Sequence, residues 1–462
     1  MNVSLMSDST VTASLLPARL DRLPMTRYQW WIYWLCAAGV LFGAADIFTI
    51  FSIGVNVQQT FNLSGPLLST VIASAAPAGM LGAFVAGRLG DSYGRKAVFQ
   101  YTLLMYFIGS IISGIAPNFA TFMIGRLILG FGIGGELPTI LALISEYSPK
   151  RARGPLLALI NGMYAIGALI ASNSALILIS SGYGWRPLFY ILAVPAVVIL
   201  ILRRWGLPES ARWLEAKGRK EEAEKIVAHM EQNIQRLSGK ELQPVPPEST
   251  VQVIQEKAPL REVFSRKLGP LTGLLSWAWW ITSFAGISMP AYYVYILTNN
   301  FHYTDVQALS VLAYSVDANV IGVALALLTI EFIGRKPMLI LTYLGYGLFA
   351  ILVGLTITDP QMLLYTIVTL NIFIVWNFSM ILSYTPEIYP TRNRASGDGV
   401  VTTVYNFSQF ISPYIIGPAI LLLPGSSVAT LFYAEGILLV ATAIPFFAAK
   451  ETKRKTLEQI ST

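Results

Sequence analysis

The chain has 462 residues, of which 54% are hydrophobic and 12% charged, with a mean hydropathy of +0.59 and a formal net charge of +7. A chain this long and this apolar is excluded from the ordinary soluble class and reads as a polytopic membrane protein. A pI near 9.3 does not argue for nucleic acid as a partner, because the basic residues punctuate apolar segments instead of gathering on one face.

Residues 1–20 (MNVSLMSDSTVTASLLPARL) lack the sustained apolar core of a cleavable signal peptide and read as a disordered cytosolic tail, part of an N-terminal segment 1–28. Twelve apolar runs follow, each long enough to cross a hydrocarbon layer of roughly 30 Å as a helix. They lie at 30–55, 66–86, 97–115, 119–145, 155–179, 187–202, 270–297, 306–330, 337–356, 361–385, 399–423 and 427–449. The lone Cys36 is inside the first, so no intrachain disulfide framework exists. The expected fold is an all-α membrane protein of twelve transmembrane helices in two pseudo-symmetric six-helix bundles, 29–202 and 270–449, joined by 203–269 and followed by a tail 450–462.

With the N-terminus inside, 30 of the 32 Lys and Arg residues fall on the cytosolic side; the exceptions are Arg126, within the fourth run, and Arg186, in an outer loop. This asymmetry predicts a multi-pass inner or plasma membrane protein with both termini in the cytosol. The joining segment differs in character. PESARWLEAKGRKEEAEKIVAHMEQ is charged and helix-forming, with Ala223, Ile226, Val227 and Met230 at helical spacing, and the proline-rich QPVPPEST follows it. It reads as an amphipathic cytosolic segment lying under the inner face.

The two halves repeat. DSYGRK (Asp91 to Lys96) matches EFIGRK (Glu331 to Lys336) at an offset of 240. EYSPKRAR (Glu146 to Arg153) matches EIYPTRNR (Glu387 to Arg394) at 241, and Glu209 in PES pairs more weakly with Glu451 in KET at 242. Near-equal offsets of about half the chain argue for homologous six-helix halves.

These residues resemble the major facilitator superfamily over nearly the whole chain. Gly87 to Lys96 (GRLGDSYGRK) is similar to its loop motif between spans two and three, and Glu146 to Gly154, Gly184 to Arg186 (GWR), Pro208 to Leu214 (PESARWL) and Glu451 to Ile460 resemble the sugar-porter signatures. Spans five (LINGMYAIGAL) and seven (SWAWWITSFAGISMPAYYVYIL) lack the glutamines of sugar porters, whereas GFGIGGELP (Gly130 to Pro138) and YTPEIYPTRNRASG are closer to niacin and aromatic-acid proton symporters, organic-ion transporters and synaptic-vesicle glycoprotein 2. The resemblance implies alternating access around a central site. It also implies a cytosolic gate of salt bridges, carried here by Arg88, Asp91, Arg95, Glu146 and Arg153 and by Glu331, Arg335, Glu387 and Arg394. The competing role of these charges is topogenic only.

An ionisable group at mid-membrane costs several kcal/mol and is a functional candidate by default. Asp46 (span one) and Arg126 (span four) lie roughly 14 and 10 Å from the outer ends of their helices at about 1.5 Å per residue, so they are able to pair. Such a pair is either a proton-coupling switch, the part played by these positions in the resembling sugar porters, or a purely structural ion pair. Glu136, about 15 Å deeper than Arg126, passes a proton inward or accepts a hydrogen bond from a neighbouring helix. Asp317 (span eight) has no base in its own span and is expected to be protonated, or bound to a cationic substrate or to hydroxyls. Glu435 (span twelve) has the weakest claim. Gly130, Gly132, Gly134 and Gly135 suit close helix packing.

The pocket candidates are Asn161 and Tyr164 in span five, Tyr292 and Tyr293 after the Pro290 break in span seven, and Trp376 and Asn377 in span ten. Trp277, Trp279 and Trp280 fit an interfacial belt. No GxxxxGK[ST] phosphate loop occurs, and His229 and His302 are isolated, so neither an enzyme nor a metal or cofactor site is expected. The reading is a secondary transporter for a small organic solute, an aromatic or other organic acid favoured, coupled to protons and functional as a monomer. Its alternatives are a sugar:proton symporter, an organic-cation transporter and a transporter-like binding protein that no longer transports.

Overall fold

The computed structural model describes residues 16–148, 150–238, 242, 244, 260–330, 332–389, 393–423 and 425–451. Helix occupies every expected pass. A short helix, α1 (Leu16–Asp21), precedes span one, α2 (Arg27–Thr60). Span two is divided into α3 (Gly65–Ala73) and α4 (Ala76–Tyr93), with Pro77 opening the second piece. Spans three to six are α5 (Arg95–Ile115), α6 (Phe119–Tyr147), α7 (Lys150–Ser180) and α8 (Arg186–Gly206). The joining segment carries α9 (Ala211–Ala216) and α10 (Lys220–Ser238).

Span seven runs from α11 (Gly269–Ser283) through a π turn at Phe284–Ser288 and a 3-10 turn at Pro290–Tyr292 into α12 (Tyr293–Phe301). Span eight is α13 (Asp305–Asp317) and α14 (Asn319–Thr329), and α15 (Arg335–Thr356), α16 (Pro360–Ile388), α17 (Arg394–Leu422) and α18 (Ala429–Phe446) complete the second half. Ten of these passes are individually long and apolar enough to cross a membrane. The other two are the fragmented span seven and α17, which carries Pro413 and Pro418.

Helix is the only open-ended way for these runs to satisfy their backbone groups in hydrocarbon. Their ends are marked by side chains that take up the orphan N–H groups: Asn118 accepts from the Thr121 amide, Asp359 from those of Gln361 and Met362, and Thr304 forms a capping box with Gln307. Span four owes its position to glycine. An added Cβ at Gly130 would overlap the Ala75 carbonyl, at Gly134 the Gly79 carbonyl and at Gly132 the Thr102 carbonyl, so spans two and three press backbone to backbone on α6.

The internal repeat has a local structural signature. Gly94 and Gly334 both adopt positive φ, 103° and 111°, immediately before a helix. Glu209 accepts hydrogen bonds from the Arg95 and Lys96 amides at 3.1 and 3.2 Å, and Glu451 accepts from those of Arg335 and Lys336 at 3.1 Å each. Each half thus places a distant carboxylate on the N-terminus of its third helix, where unpaired amides and the helix dipole favour an anion. The weakest sequence pair, Glu209 with Glu451, performs the same task twice.

Three expectations are corrected. Span six continues past residue 202, so Arg203 and Arg204 belong to the last turn of α8 and not to the joining loop. Span one begins at Arg27, and Leu16–Asp21, expected to be disordered tail, form a helix. That helix docks on α10, where Arg19 pairs with Glu224 and Glu231 at 2.6 Å each and Arg22 pairs with Glu231 at 2.7 Å. Leu16 and Leu20 share an apolar cluster with Ala223, Val227, Met230 and Ile234 of α10, while Ile226 is only partly buried.

Burial acts to raise Glu231, but the hydrogen bonds from Arg19 and Arg22 outweigh it and hold its carboxyl below the usual range. A depressed folded-state pKa stabilises docking above the unfolded value, about 4.3, and the contribution is lost as pH falls through the folded value. Arg19→Ala is therefore expected to speed amide exchange across residues 16–22 at neutral pH, with the gap from wild type closing in acid. A gap independent of pH would show that the apolar contacts alone hold α1.

Candidate functional site

In the first half, Asp46 and Arg126 meet as a bidentate ion pair: Nη1 contacts Oδ1, and Nη2 donates to Oδ2 at 2.8 Å. They are 1% and 2% exposed, so the pair is effectively removed from solvent. Arg126 Nε donates to Ser74 Oγ at 2.9 Å, and Ser74 sits at the break between α3 and α4. The guanidinium is thereby held by span one and by the interruption of span two at once. Tyr106 lies within electrostatic reach of both charges, and its buried hydroxyl has no hydrogen-bond partner among the described residues.

A second buried pair went unread in the sequence. Arg203 Nη1 donates to Glu136 Oε1 at 2.7 Å, and Nε donates to the Leu35 carbonyl at 2.8 Å. The guanidinium carbon stands 3.6 Å from the centroid of the Phe99 ring. Glu136 presses on the bare face of Gly39, where a Cβ would overlap its carboxylate. One arginine therefore joins spans one, three, four and six. The missed signal was Arg203 itself, counted with the loop because it directly follows the apolar run.

Asp317 ends α13 and accepts a 2.7 Å hydrogen bond from Asn173 Nδ2 of α7. Its observed partner is an amide of the opposite half, in place of the hydroxyls or cationic substrate named as alternatives to a protonated carboxyl. Glu435 is 1% exposed and lies in the core of the second half.

A cavity with about 40 Å³ of water-sized space lies between the halves. Phe48 and Tyr164 line it from the first half, and Thr282, Gly286, Asn319, Asn371, Phe378 and Tyr405 from the second. Tyr164 packs on Phe48 and Phe378 with ring centroids 6.1 and 6.5 Å apart, and Phe378 and Tyr405 are 5.8 Å apart. The Asn319 Oδ1 atom is buried without a hydrogen-bond partner among the described residues. Small-molecule sites run to about 300–1,000 Å³, so the cavity in this conformation is too small to hold a solute.

Of the predicted pocket residues, Tyr164 lines the cavity, and Asn377 stands behind it, bonded to Thr282 at 3.2 Å and to Thr342 at 3.0 Å. The Asn161 side chain is outside the described residues. Three others are directed elsewhere. Tyr292 bonds Ser69 and the Pro413 carbonyl at 2.8 and 2.7 Å, Tyr293 packs on Phe432, and Trp376 donates to Thr329 at 3.1 Å. Span ten instead presents Asn371, Ile374, Val375 and Phe378, a stripe at helical spacing that was the available signal. Trp279 does not join a belt: it is 3% exposed, bonded to Thr385, and packed edge-on against Phe378 and Tyr405. Trp277 is exposed, as a belt residue would be.

The halves meet firmly away from the basic loops. The Tyr292–Ser69 bond joins spans seven and two, Asn56 donates to Asp305 at 3.4 Å, and Gly417 packs against Ser69. On the basic-loop face, Arg335 pairs with Glu387 at 3.2 Å within the second half, and Arg88 stacks on Phe84 within the first. The side chains of Asp91, Glu146, Arg153, Glu331 and Arg394 fall outside the described residues.

Residues 38–462 match the family described as sugar (and other) transporter. The chain belongs to this family, within the major facilitator superfamily. It is 29% identical over 458 residues to the niacin transporter NiaP of Acinetobacter baylyi, covering 96% of this chain and 99% of that protein. It is 30% identical to the putative metabolite transport protein YdjK of Escherichia coli, with 96% of each chain covered. The synaptic vesicle 2-related protein of Bos taurus is 28% identical, over 81% of this chain and 70% of that one. Among solved structures, the partially occluded inward-open xylose transporter XylE of E. coli superposes with a TM-score of 0.75 at 22% identity, covering 93% of this chain and all of that one. The chain is thus a multi-pass membrane transporter of the twelve-helix facilitator fold, as its motifs implied.

Proposed function

We propose that the chain is a proton-coupled symporter for a small organic anion, an aromatic carboxylate above all, working by alternating access between the halves 29–202 and 270–449. On this reading the basic loops, the joining segment after α8 and both tails face the cytosol, the monomer is the working unit, and the paired loop charges gate the cytosolic side. The observation that carries it is the Asp46–Arg126 pair. Stranding either member of a buried pair costs about 3–5 kcal/mol. The pair therefore opens at low cost only when a proton neutralises Asp46 and another anion neutralises Arg126. A carboxylate solute meets the second requirement directly. The aromatic walls from Phe48, Tyr164, Phe378 and Tyr405 suit a ring, and the relative named as a niacin transporter agrees with both features.

The test is pH-gradient-driven uptake in proteoliposomes with labelled nicotinate, hydroxybenzoate, glucose, xylose and a small organic cation. Accumulation of an aromatic carboxylate supports the proposal; accumulation of a sugar or of the cation instead overturns it. Asn319 supplies a finer test, since it lines the cavity and its carbonyl oxygen has no hydrogen-bond partner among the described residues. A hydrogen bond contributes about 1 kcal/mol net, so Asn319→Ala is expected to raise the half-saturation concentration about five- to tenfold with the maximal rate little changed. An unchanged half-saturation value would remove Asn319 from the site.

A further inference from the structure

The second half contains a cluster of buried polar groups that the Asp46 reading does not use. Both carboxyl oxygens of Glu435 and the hydroxyls of Tyr293 and Tyr346 have no hydrogen-bond partner among the described residues. The three side chains are 1%, 2% and 0% exposed.

Packing brings them together. α15 and α18 cross at Gly347 and Gly436, where a Cβ on either would strike the other's carbonyl oxygen, and the preceding residues at this crossing are Tyr346 and Glu435. Tyr293 packs on Phe432 at 6.1 Å between centroids, and Phe432 lies one turn from Glu435 on the same face of α18. Glu435 lies within electrostatic reach of both tyrosines, and Tyr293 within reach of Tyr346.

Among the described residues, the groups facing Glu435 include no cation. α12 presents Tyr293 and α15 presents Tyr346 with Tyr343 one turn away; α11 packs on α18 through Trp277 and Thr442 and carries no titratable side chain. A lone carboxylate buried this deeply is far costlier than the neutral carboxyl. The repeat supports the same assignment. Tyr346 stands 240 residues after Tyr106, the offset that relates Gly94 to Gly334, and Tyr106 neighbours Asp46 in the first half. Gly286, 240 residues after Asp46, lies against the Tyr346 hydroxyl, with 3.4 Å from its Cβ position to the oxygen. Each half therefore sets a tyrosine of its third helix beside a buried carboxyl, and only the first adds an arginine.

We propose that Glu435, Tyr293 and Tyr346 form a second proton-binding site, with the proton resident on the Glu435 carboxyl in this conformation. Tyr293 is the first residue of α12, immediately past the broken stretch of span seven. Any shift of α12 against α18 therefore moves the Tyr293 hydroxyl relative to that carboxyl, which has no hydrogen-bond partner among the described residues in this conformation. This site stands independently of the Asp46 proposal and of the identity of the solute.

The experiment is infrared difference spectroscopy of the full chain in lipid without solute. At neutral pH a protonated-carboxyl C=O band is expected in wild type and in Asp46→Asn, lost in Glu435→Gln and shifted in frequency by Tyr346→Phe and by Tyr293→Phe. A wild-type band that survives Glu435→Gln, or one that neither phenylalanine variant moves, overturns the proposal. So does loss of the band when sodium replaces choline at fixed pH, which would make the occupant a metal cation. Failure of Asp46→Asn to alter transport would leave this band, and the proposal, untouched.

Discussion

Asp46→Asn is expected to abolish uphill accumulation in proteoliposomes while leaving solute exchange in place. For one proton per monovalent anion, a gradient of one pH unit sustains at most about tenfold accumulation, since a tenfold ratio corresponds to about 1.4 kcal/mol. The variant should fall from that ratio to equal concentrations on both sides. Asparagine retains an oxygen that accepts from Arg126 but has no charge to gain or lose. Arg126 is then free for an anionic solute at every pH, and binding no longer requires a proton. The half-saturation concentration for exchange should accordingly lose its pH dependence over the range in which wild type shows one. Accumulation equal to wild type would mean that Asp46 and Arg126 are a structural pair. Asp317 would then be the next acid to test, because its partner among the described residues, Asn173, belongs to the opposite half and is neutral.

Much of this arrangement was legible because lipid narrows the choices. A run of twenty apolar residues has one solution in hydrocarbon, so the twelve passes followed from hydropathy, and an acid or base inside them stood out against that background. Asp46 and Arg126 were paired from depth along their helices. Two kinds of information were not legible. The breaks in spans two, seven and eight rest on short-range adjustments; Pro290 was read, but the π turn before it and the interruption at Ala318 have no residue that demands them. Rotation about each helix axis was the other gap. Asn377 was chosen for its amide, yet it turns toward Thr342, and Asn371 and Phe378 meet the cavity instead. Arg203 failed for a third reason: a charge at the end of an apolar run looks solvated until its partner, 67 residues away, is known.

That partner gives a large expected effect on stability. Arg203 is fully buried, and its charge is matched among the described residues by Glu136. Glu136→Gln strands the guanidinium and Arg203→Met strands the carboxylate, each at a cost of about 3–5 kcal/mol. The Glu136→Gln/Arg203→Met double variant strands neither, and replacing a buried ion pair by neutral groups of similar size is often nearly free. Thermal unfolding in detergent should therefore show two strongly destabilised single variants and a double variant close to wild type. The Leu35 carbonyl and the Phe99 ring also lose their arginine in the double variant, so a residual deficit on the order of 1 kcal/mol is expected from one hydrogen bond and one cation–π contact. Additive losses would show instead that Arg203 stabilises mainly through Leu35 and Phe99. The same three variants separate structure from transport. If the double variant recovers stability and still couples solute to protons, Glu136 is an anchor that ties spans one, four and six together. If it is stable but uncoupled, Glu136 joins Asp46 on the proton's route.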